Sequence, residues 1–187
     1  MNKKTLRQSI FEKRQQLSPD YYLKANAAIV DKVLSTEVFQ KAANIFIYHG
    51  VGKELDTSKI ISEAFKQGKL VALPRVHGKG DMRAHYFQHG DQLAVSSFGI
   101  PEPLANSPEM MPKDIDLIIM PCVTCNTRGH RLGYGGGFYD RFLTKTDAFT
   151  LLPYFDRLLV EEIPMQEHDQ VMDCVLTETS DYPIQID

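Results

Sequence analysis

The chain has 187 residues, enough for one well-buried domain, and a single domain spanning 1–187 is expected. Lys plus Arg number 21 and Asp plus Glu 24, a net charge of −3 that speaks against a nucleic-acid partner. With 24% charged and 43% hydrophobic residues, the composition is far from that of a disordered chain.

The apolar runs, such as Ile115-Asp-Leu-Ile-Ile-Met120, are strand-sized rather than membrane-sized. The start Met1-Asn-Lys-Lys-Thr5 lacks the apolar core of a signal peptide, so a cytoplasmic location without a membrane partner is expected. Three cysteines, Cys122, Cys125 and Cys174, cannot all pair internally and form no disulfide framework. Cys122-x-x-Cys125 lacks the second pair that a zinc site of that spacing requires.

The first 35 residues read as two helices. Leu6, Ile10 and Leu17 share one helical face, and Ser18-Pro19 supplies a cap and first-turn proline for a second helix carrying Ile29, Val33 and Leu34. Wound at about 100° per residue, Lys3, Arg7 and Arg14 form a row between Leu6, Ile10 and Leu17 on one side and Phe11 on the other. Such a row has two readings. Either the cations point along the surface toward a site, or their stems cover the core edge while their heads stay in water.

Ile45-Phe-Ile-Tyr48 reads as a short buried strand, followed by a loop through Glu54 and a helix from about Thr57 with Ile60, Ile61, Ala64 and Phe65 inward, closed by Gly68. Leu70-Val-Ala-Leu73, ended by Pro74, completes a β-α-β crossover with parallel strands. Met82–Phe87 and Gln92–Val95 are weaker strand candidates, and Gly99-Ile-Pro-Glu-Pro103 reads as a turn. Ile115–Met120, stopped by Pro121, is the clearest buried strand; a helix near Phe138–Thr144 and strands at Phe149–Leu152 and Val171–Thr177 follow. Strands alternating with helices predict an α/β fold.

Five of the twelve glycines, Gly129, Gly133, Gly135, Gly136 and Gly137, lie within nine residues between the buried strand and a helix. Glycine permits positive φ and removes Cβ, so that backbone N–H groups converge on an anion near a helix start. The spacing is neither the dinucleotide fingerprint, since Phe138 stands where Gly or Ala is needed, nor a P-loop, since no Gly-Lys-Ser/Thr closes it. A bare glycine cluster is equally a flexible surface loop. Arg131 before it offers phosphate a planar fork, and Asp140 after it offers magnesium a hard oxygen.

Taken in order, Lys3-x-x-x-Arg7, Glu54-Leu-Asp-Thr57, Leu73-Pro-Arg75, Gly99-Ile-Pro-Glu-Pro103, Ile115-Asp-Leu-Ile118, Gly129-x-Arg-Leu-Gly-Tyr-Gly-Gly-Gly-Phe-Tyr-Asp-Arg141, and Ile163-Pro-x-x-x-His-Asp169 with Thr177-Glu178 make a pattern covering nearly the whole chain. It resembles the 5-formyltetrahydrofolate cyclo-ligase (5,10-methenyltetrahydrofolate synthetase) family. The resemblance implies a three-layer α/β/α sandwich with a largely parallel central sheet. It also implies cyclisation of 5-formyltetrahydrofolate to 5,10-methenyltetrahydrofolate, with ATP as co-substrate, Mg2+ as metal and a phosphorylated formyl intermediate.

By position, the resemblance places Lys3, Lys4, Arg7 and the run Arg131, Leu132, Gly133, Tyr134, Gly135, Gly136, Gly137, Phe138 and Tyr139 at ATP. It places His49 and Glu54 at the folate, Asp140 at the metal, and Arg131, Tyr139 and Asp140 in the catalytic set. A monomer with only small-molecule partners is implied. Departures from the family pattern are Cys125-Asn126, where Phe-Asp is usual, and Leu158, where Gln is usual. His168-Asp169 reads as structural. Fold alone leaves open a sugar-phosphate or CoA-handling enzyme of the same layering, and the departures leave open a non-catalytic folate binder.

Overall fold

A computed structural model describes residues 2–184. Helix α1 (Lys3–Gln16) is capped by the Asn2 side chain, which accepts from the Thr5 N–H at 2.9 Å. Helix α2 (Pro19–Ser35) starts as its sequence predicts, with Ser18 accepting from the Tyr21 N–H at 3.2 Å and Pro19 in the first turn. A short helix α3 (Glu37–Lys41), not read from the sequence, follows at once, capped by Thr36.

Strand β1 (Asn44–Ile47), helix α4 (Ser58–Lys66) and strand β2 (Leu70–Gly78) form the expected crossover, with Ile45 paired in parallel to Val71. β2 does not stop at Pro74. Past Ala72 it has outrun β1 and has a neighbour on one side only, the edge setting in which strands tolerate proline. It continues antiparallel to β3 (Asp81–Phe87), with a bulge between Val76 and Gly78. Strands β4 (Leu93–Val95) and β5 (Pro101–Pro103) make a separate two-stranded ribbon, so the predicted turn is confined to Ser96–Gly99 and its prolines enter a strand.

β6 (Glu109–Met110), β7 (Leu117–Ile119), the hairpin β8 (Thr124–Cys125) and β9 (Arg131–Leu132), helix α5 (Phe138–Leu143), β10 (Phe149–Pro153), β11 (Cys174–Leu176) and β12 (Asp181–Pro183) complete the chain. The main sheet has eight strands in the order β12-β11-β10-β7-β1-β2-β3-β6. Its centre, from β11 through β2, is parallel, and its margins are antiparallel.

Alternation along the strands assigns the layers. Phe46 of β1 meets Phe142 and Tyr139 of α5, with ring centroids 4.8 and 6.0 Å apart. On the other face, Phe87, paired with Val71, meets Phe65 of α4 at 5.8 Å. Helices thus cover both faces, as the sandwich requires. The core includes Ile45, Phe46, Ile47, Leu117, Ile118 and Ile119, each at most 1% exposed.

Helix α1 stands apart from this core. Its Leu6 and Ile10 bury against Val123, Leu132 and Ile163, so α1 docks on the β8–β9 hairpin rather than on the sheet. Within that hairpin Gly129 belongs to the turn and not to the loop that follows β9. It has φ +78°, and a Cβ there would lie 2.6 Å from the Met172 carbonyl oxygen. Asn126 holds the same turn, its Oδ1 accepting from the N–H groups of Arg128 and His130 at 3.0 and 3.1 Å. Gly129→Ala is expected to lower the unfolding free energy by about 2 kcal/mol or more, combining backbone strain with a clash. Gly52→Ala, with φ +60° but open space, carries the strain alone, about 1 kcal/mol. Denaturant melts of both variants check the ordering.

Candidate active site

The order of the sheet fixes where a ligand belongs. From β1 the chain moves outward to β2, and after β7 it moves the opposite way to β10 and β11, so the strand order reverses between β1 and β7. Open α/β sheets bind ligands outside the carboxyl ends of the strands at such a point. A small cleft opens there, lined by Tyr48 after β1, Cys122 after β7, Tyr154 after β10, and Arg14, Glu54 and Leu55.

Of the basic row of α1, Arg14 reaches this cleft, while Arg7 and Lys3 contact the Gly133 loop and the Gln166–Asp169 segment. Arg14 is 6% exposed; its guanidinium donates to the carbonyls of Cys122 and Val123 at 3.3 and 3.0 Å and to the hydroxyls of Tyr154 and Tyr134 at 3.2 and 3.3 Å. Arg7 Nε donates to the Gly133 carbonyl at 2.7 Å, and its two terminal nitrogens make no hydrogen bond to the described residues. Lys3 Nζ lies 2.5 Å from Asp169 Oδ2 and 3.3 Å from Gln166 Oε1. Stems over an apolar edge with heads in water do not describe these three. Lys4 is exposed.

The loop after β9 carries the remaining candidates. Positive φ falls at Gly135 (+104°) and Gly137 (+64°). Gly136 has ordinary φ and is glycine for a different reason, since a Cβ would press on the Phe138 ring at 2.6 Å. The Arg7 guanidinium carbon lies 3.5 Å from where a Gly135 Cβ would stand, so the fork of Arg7 faces the loop. α5 has only six residues, so the positive charge beside the loop comes from arginines rather than from a long helix dipole.

Arg131 is a buried cation. Its Nη2 lies 2.8 Å from Asp140 Oδ1, its Nη1 donates to the Pro121 carbonyl at 3.4 Å, and its Nε is buried without a partner. Asp140 is therefore no helix cap: Gly137 occupies that position, and the carboxylate pairs with Arg131 from the first turn of α5. Tyr139 lies between Phe46 and Arg131, with the guanidinium 5.8 Å from its ring, and Leu132 is buried beneath α1. Burial pushes the Tyr139 hydroxyl well above its ordinary pKa.

Glu54 joins this loop rather than standing apart from it. The Tyr134 hydroxyl donates to Glu54 Oε1, and Glu54 Oε2 accepts from the Val51 N–H at 3.0 Å. Desolvation and the adjacent carboxylate push the Tyr134 pKa up, which keeps the phenol a donor. Tyr22 donates to the Glu54 carbonyl at 2.6 Å, and the Thr57 hydroxyl donates to the Tyr48 carbonyl at 2.8 Å, tying down the loop after β1. His49 contacts the neighbouring Gly50 carbonyl at 3.3 Å and makes no hydrogen bond to Glu54.

Sequence reasoning missed two residues here. Arg14 stands in the basic row that was read, but only burial shows that it ties the cleft together. Asp169, read as structural, holds Lys3 in place. Of the departures, Asn126 caps the hairpin turn and Leu158 is 1% exposed in the core.

A layered α/β sheet whose switch-point cleft holds a buried arginine is a scaffold shared by many enzymes, and the comparisons bear on which. The family model described as the 5-formyltetrahydrofolate cyclo-ligase family matches residues 1–178, and the chain belongs to that family. The 5-formyltetrahydrofolate cyclo-ligase of Escherichia coli K12 is 28% identical over 90% of this chain and 96% of its own; that of Mus musculus is 27% identical over 95% and 94%. The solved structure of Aquifex aeolicus 5,10-methenyltetrahydrofolate synthetase superposes with a TM-score of 0.88 at 27% identity, covering 100% of this chain and 95% of that one. A Mycoplasma pneumoniae 5,10-methenyltetrahydrofolate synthetase, at 18% identity and a TM-score of 0.77 over 95% and 99% of the two chains, shares the fold. No helix of the described residues is long and apolar enough to cross a membrane.

The Lys3–Asp169 pair makes acid stability measurable. Burial raises the Asp169 carboxyl, but the Lys3 ammonium and the Gln166 N–H outweigh it and hold the pKa below the ordinary value. A depressed folded pKa contributes stability above the unfolded value, near 3.9, and loses it as pH falls through the folded value. Lys3→Ala is thus expected to lower the thermal midpoint at pH 7 and to narrow its difference from the unmodified protein as pH falls below the ordinary carboxylate value.

Proposed function

We propose that this chain converts 5-formyltetrahydrofolate to 5,10-methenyltetrahydrofolate at the expense of ATP, with magnesium, acting as a single-domain monomer. The chemistry explains the nucleotide. A formamide oxygen is a poor leaving group. When it attacks the γ-phosphorus of ATP, the bond to ADP breaks and the formyl carbon becomes an electrophilic imidate-like centre. N10 then attacks that carbon and loses its proton, and inorganic phosphate leaves with the former formyl oxygen. Catalysis is mostly positioning and charge neutralisation.

One observation carries this reading: the terminal nitrogens of Arg7, unbonded to the described residues, face a glycine loop. Donors arranged in this way lack an acceptor, and phosphate oxygens are acceptors that match a guanidinium fork. In this reading Lys3, held by Asp169, and Arg7 take the outer phosphates. Lys4 adds charge at the rim. The run Arg131, Leu132, Gly133, Tyr134, Gly135, Gly136, Gly137, Phe138 and Tyr139 forms the nucleotide loop.

Magnesium, when bound, would neutralise phosphate charge. Asp140 is the ligand proposed for it, because one carboxylate oxygen accepts from Arg131 and the Gln170 N–H while the other makes no hydrogen bond to the described residues. Glu54, with His49 at the rim, receives the pterin, whose adjacent N–H donors a carboxylate accepts. Tyr134, bonded to Glu54, links the two substrates. Arg131, Tyr139 and Asp140 form the catalytic set, with Arg131 polarising the transferred phosphoryl group and Tyr139 packing its guanidinium.

The deciding measurement is the absorbance of methenyl-folate after mixing the protein with 5-formyltetrahydrofolate and Mg-ATP; no product, or product without ATP, overturns the reading. Glu54→Gln is expected to weaken folate binding by about ten- to a hundredfold, with a smaller change in ATP affinity, as calorimetry would record. Asp140→Asn is expected to raise the magnesium concentration needed for half-maximal turnover several-fold. A magnesium titration that overlays the unmodified curve removes Asp140 from the metal site.

A further inference from the structure

A second site lies at the far edge of the sheet, away from the cleft. His85 of β3 is paired with Glu109 of β6, and residues directly opposite one another across a strand pair share a face. His77 projects from that same face by alternation from Leu73, which is paired with His85, and stands at the bulge between Val76 and Gly78. The result is that one nitrogen of His77, one of His85 and one carboxylate oxygen of Glu109 all lie within 4.8 Å of one another.

The protonation pattern of His85 is set by its surroundings. Its Nδ1 lies 2.7 Å from the Ser107 carbonyl, which can only accept, so the proton sits on Nδ1 and the Nε2 lone pair is presented outward. This carbonyl-anchored imidazole is the outer-shell arrangement that orients a metal-bound histidine. The His77 and His85 Nε2 atoms are 2.7 Å apart, so without a cation His77 must donate its own proton there. His77 is exposed and can move that proton to Nδ1.

From this geometry we infer that His77, His85 and Glu109 form a binding site for a divalent cation of the zinc class, separate from any magnesium site at Asp140. Two imidazoles and one carboxylate suit zinc or its neighbours and suit magnesium poorly. Tetrahedral zinc at about 2.05 Å from each nitrogen places the two nitrogens about 3.3 Å apart, so the exposed His77 ring backs off by roughly half an ångström. Three protein ligands leave one position for water.

The charged surroundings are compatible with the cation. Arg83 Nη1 is 2.8 Å from Glu109 Oε1 and its Nη2 is 2.9 Å from Asp81, leaving the other Glu109 oxygen available. Arg75 and Glu102, which lie 4.0 Å apart, line the same region. Desolvation, with Arg83 and His85 adding to it, lowers the His77 pKa against the weaker pull of Asp81 and Glu109. Occupancy would clamp the bulged end of the β2–β3 hairpin to β6, the two-residue strand at the sheet margin.

The test uses the full chain, stripped with a chelator and titrated calorimetrically with zinc chloride, with cobalt(II) absorption reporting the ligand type. One zinc per chain is expected, unaffected by excess magnesium. His77→Ala, at an exposed position, and Glu109→Gln should each fold and weaken zinc by at least about tenfold, a lost ligand exceeding a lost outer-shell partner in effect. Asp140→Asn should leave zinc affinity unchanged. The inference is overturned by the absence of zinc binding, by affinities within twofold in both His77→Ala and Glu109→Gln, or by a thiolate-to-cobalt charge-transfer band, which would place the ion on Cys122 and Cys125. Neither zinc result bears on the folate reaction, so this inference and the proposed function fail separately.

Discussion

The site depends on the burial of arginine heads between α1 and the β8–β9 hairpin. Arg14 is almost fully enclosed, and burying a cation is costly unless it is hydrogen-bonded. Its Nε has no partner among the described residues, and its two terminal nitrogens are held by two backbone carbonyls just past β7 and the hydroxyls of Tyr134 and Tyr154. Tyr134 passes the constraint to Glu54, and the Val51 N–H fixes Glu54 in turn. One cation thereby connects the first helix, the glycine loop, the loop after β1 and the end of β10.

The same physics separates the two arginines of the loop. Arg131 is neutralised by Asp140 and braced by Tyr139, so its position is set before any ligand arrives. Arg7 bonds the loop through Nε and keeps its fork free. Preorganised donors around a crevice cost little reorganisation when an anion enters. The sheet supplies the location, because the connections leaving the parallel strands β1 and β7 turn to opposite sides at the crevice mouth.

Much of the fold was legible because burial writes a periodic signature. Ile45–Tyr48, Leu117–Ile119 and the face Ile60, Ile61 and Ala64 are apolar at the periods of the elements they form. The elements that escaped are those whose stability comes from neighbours. β6, β8 and β9 have two residues each, too short to show a period, and α3 has five. β2 ran past Pro74 because β1 ends earlier, which is a property of another strand. Gly129 was counted with the glycine cluster because clustering in sequence does not distinguish a hairpin turn from the loop beyond it.

By itself, the sequence determined the layered α/β class, the basic row Lys3, Arg7 and Arg14, the glycine loop with Arg131 and Asp140, and the family pattern that joins them. All of these are local, written in spacing and residue type. Only the tertiary structure decided that Asp169 holds Lys3, that Asp140 pairs with Arg131 rather than capping a helix, that Tyr134 reaches Glu54, and that three strands bring His77, His85 and Glu109 together. Each of these contacts joins residues from different segments of the chain. Their meeting is set by strand order, register and helix docking, which no window of sequence contains.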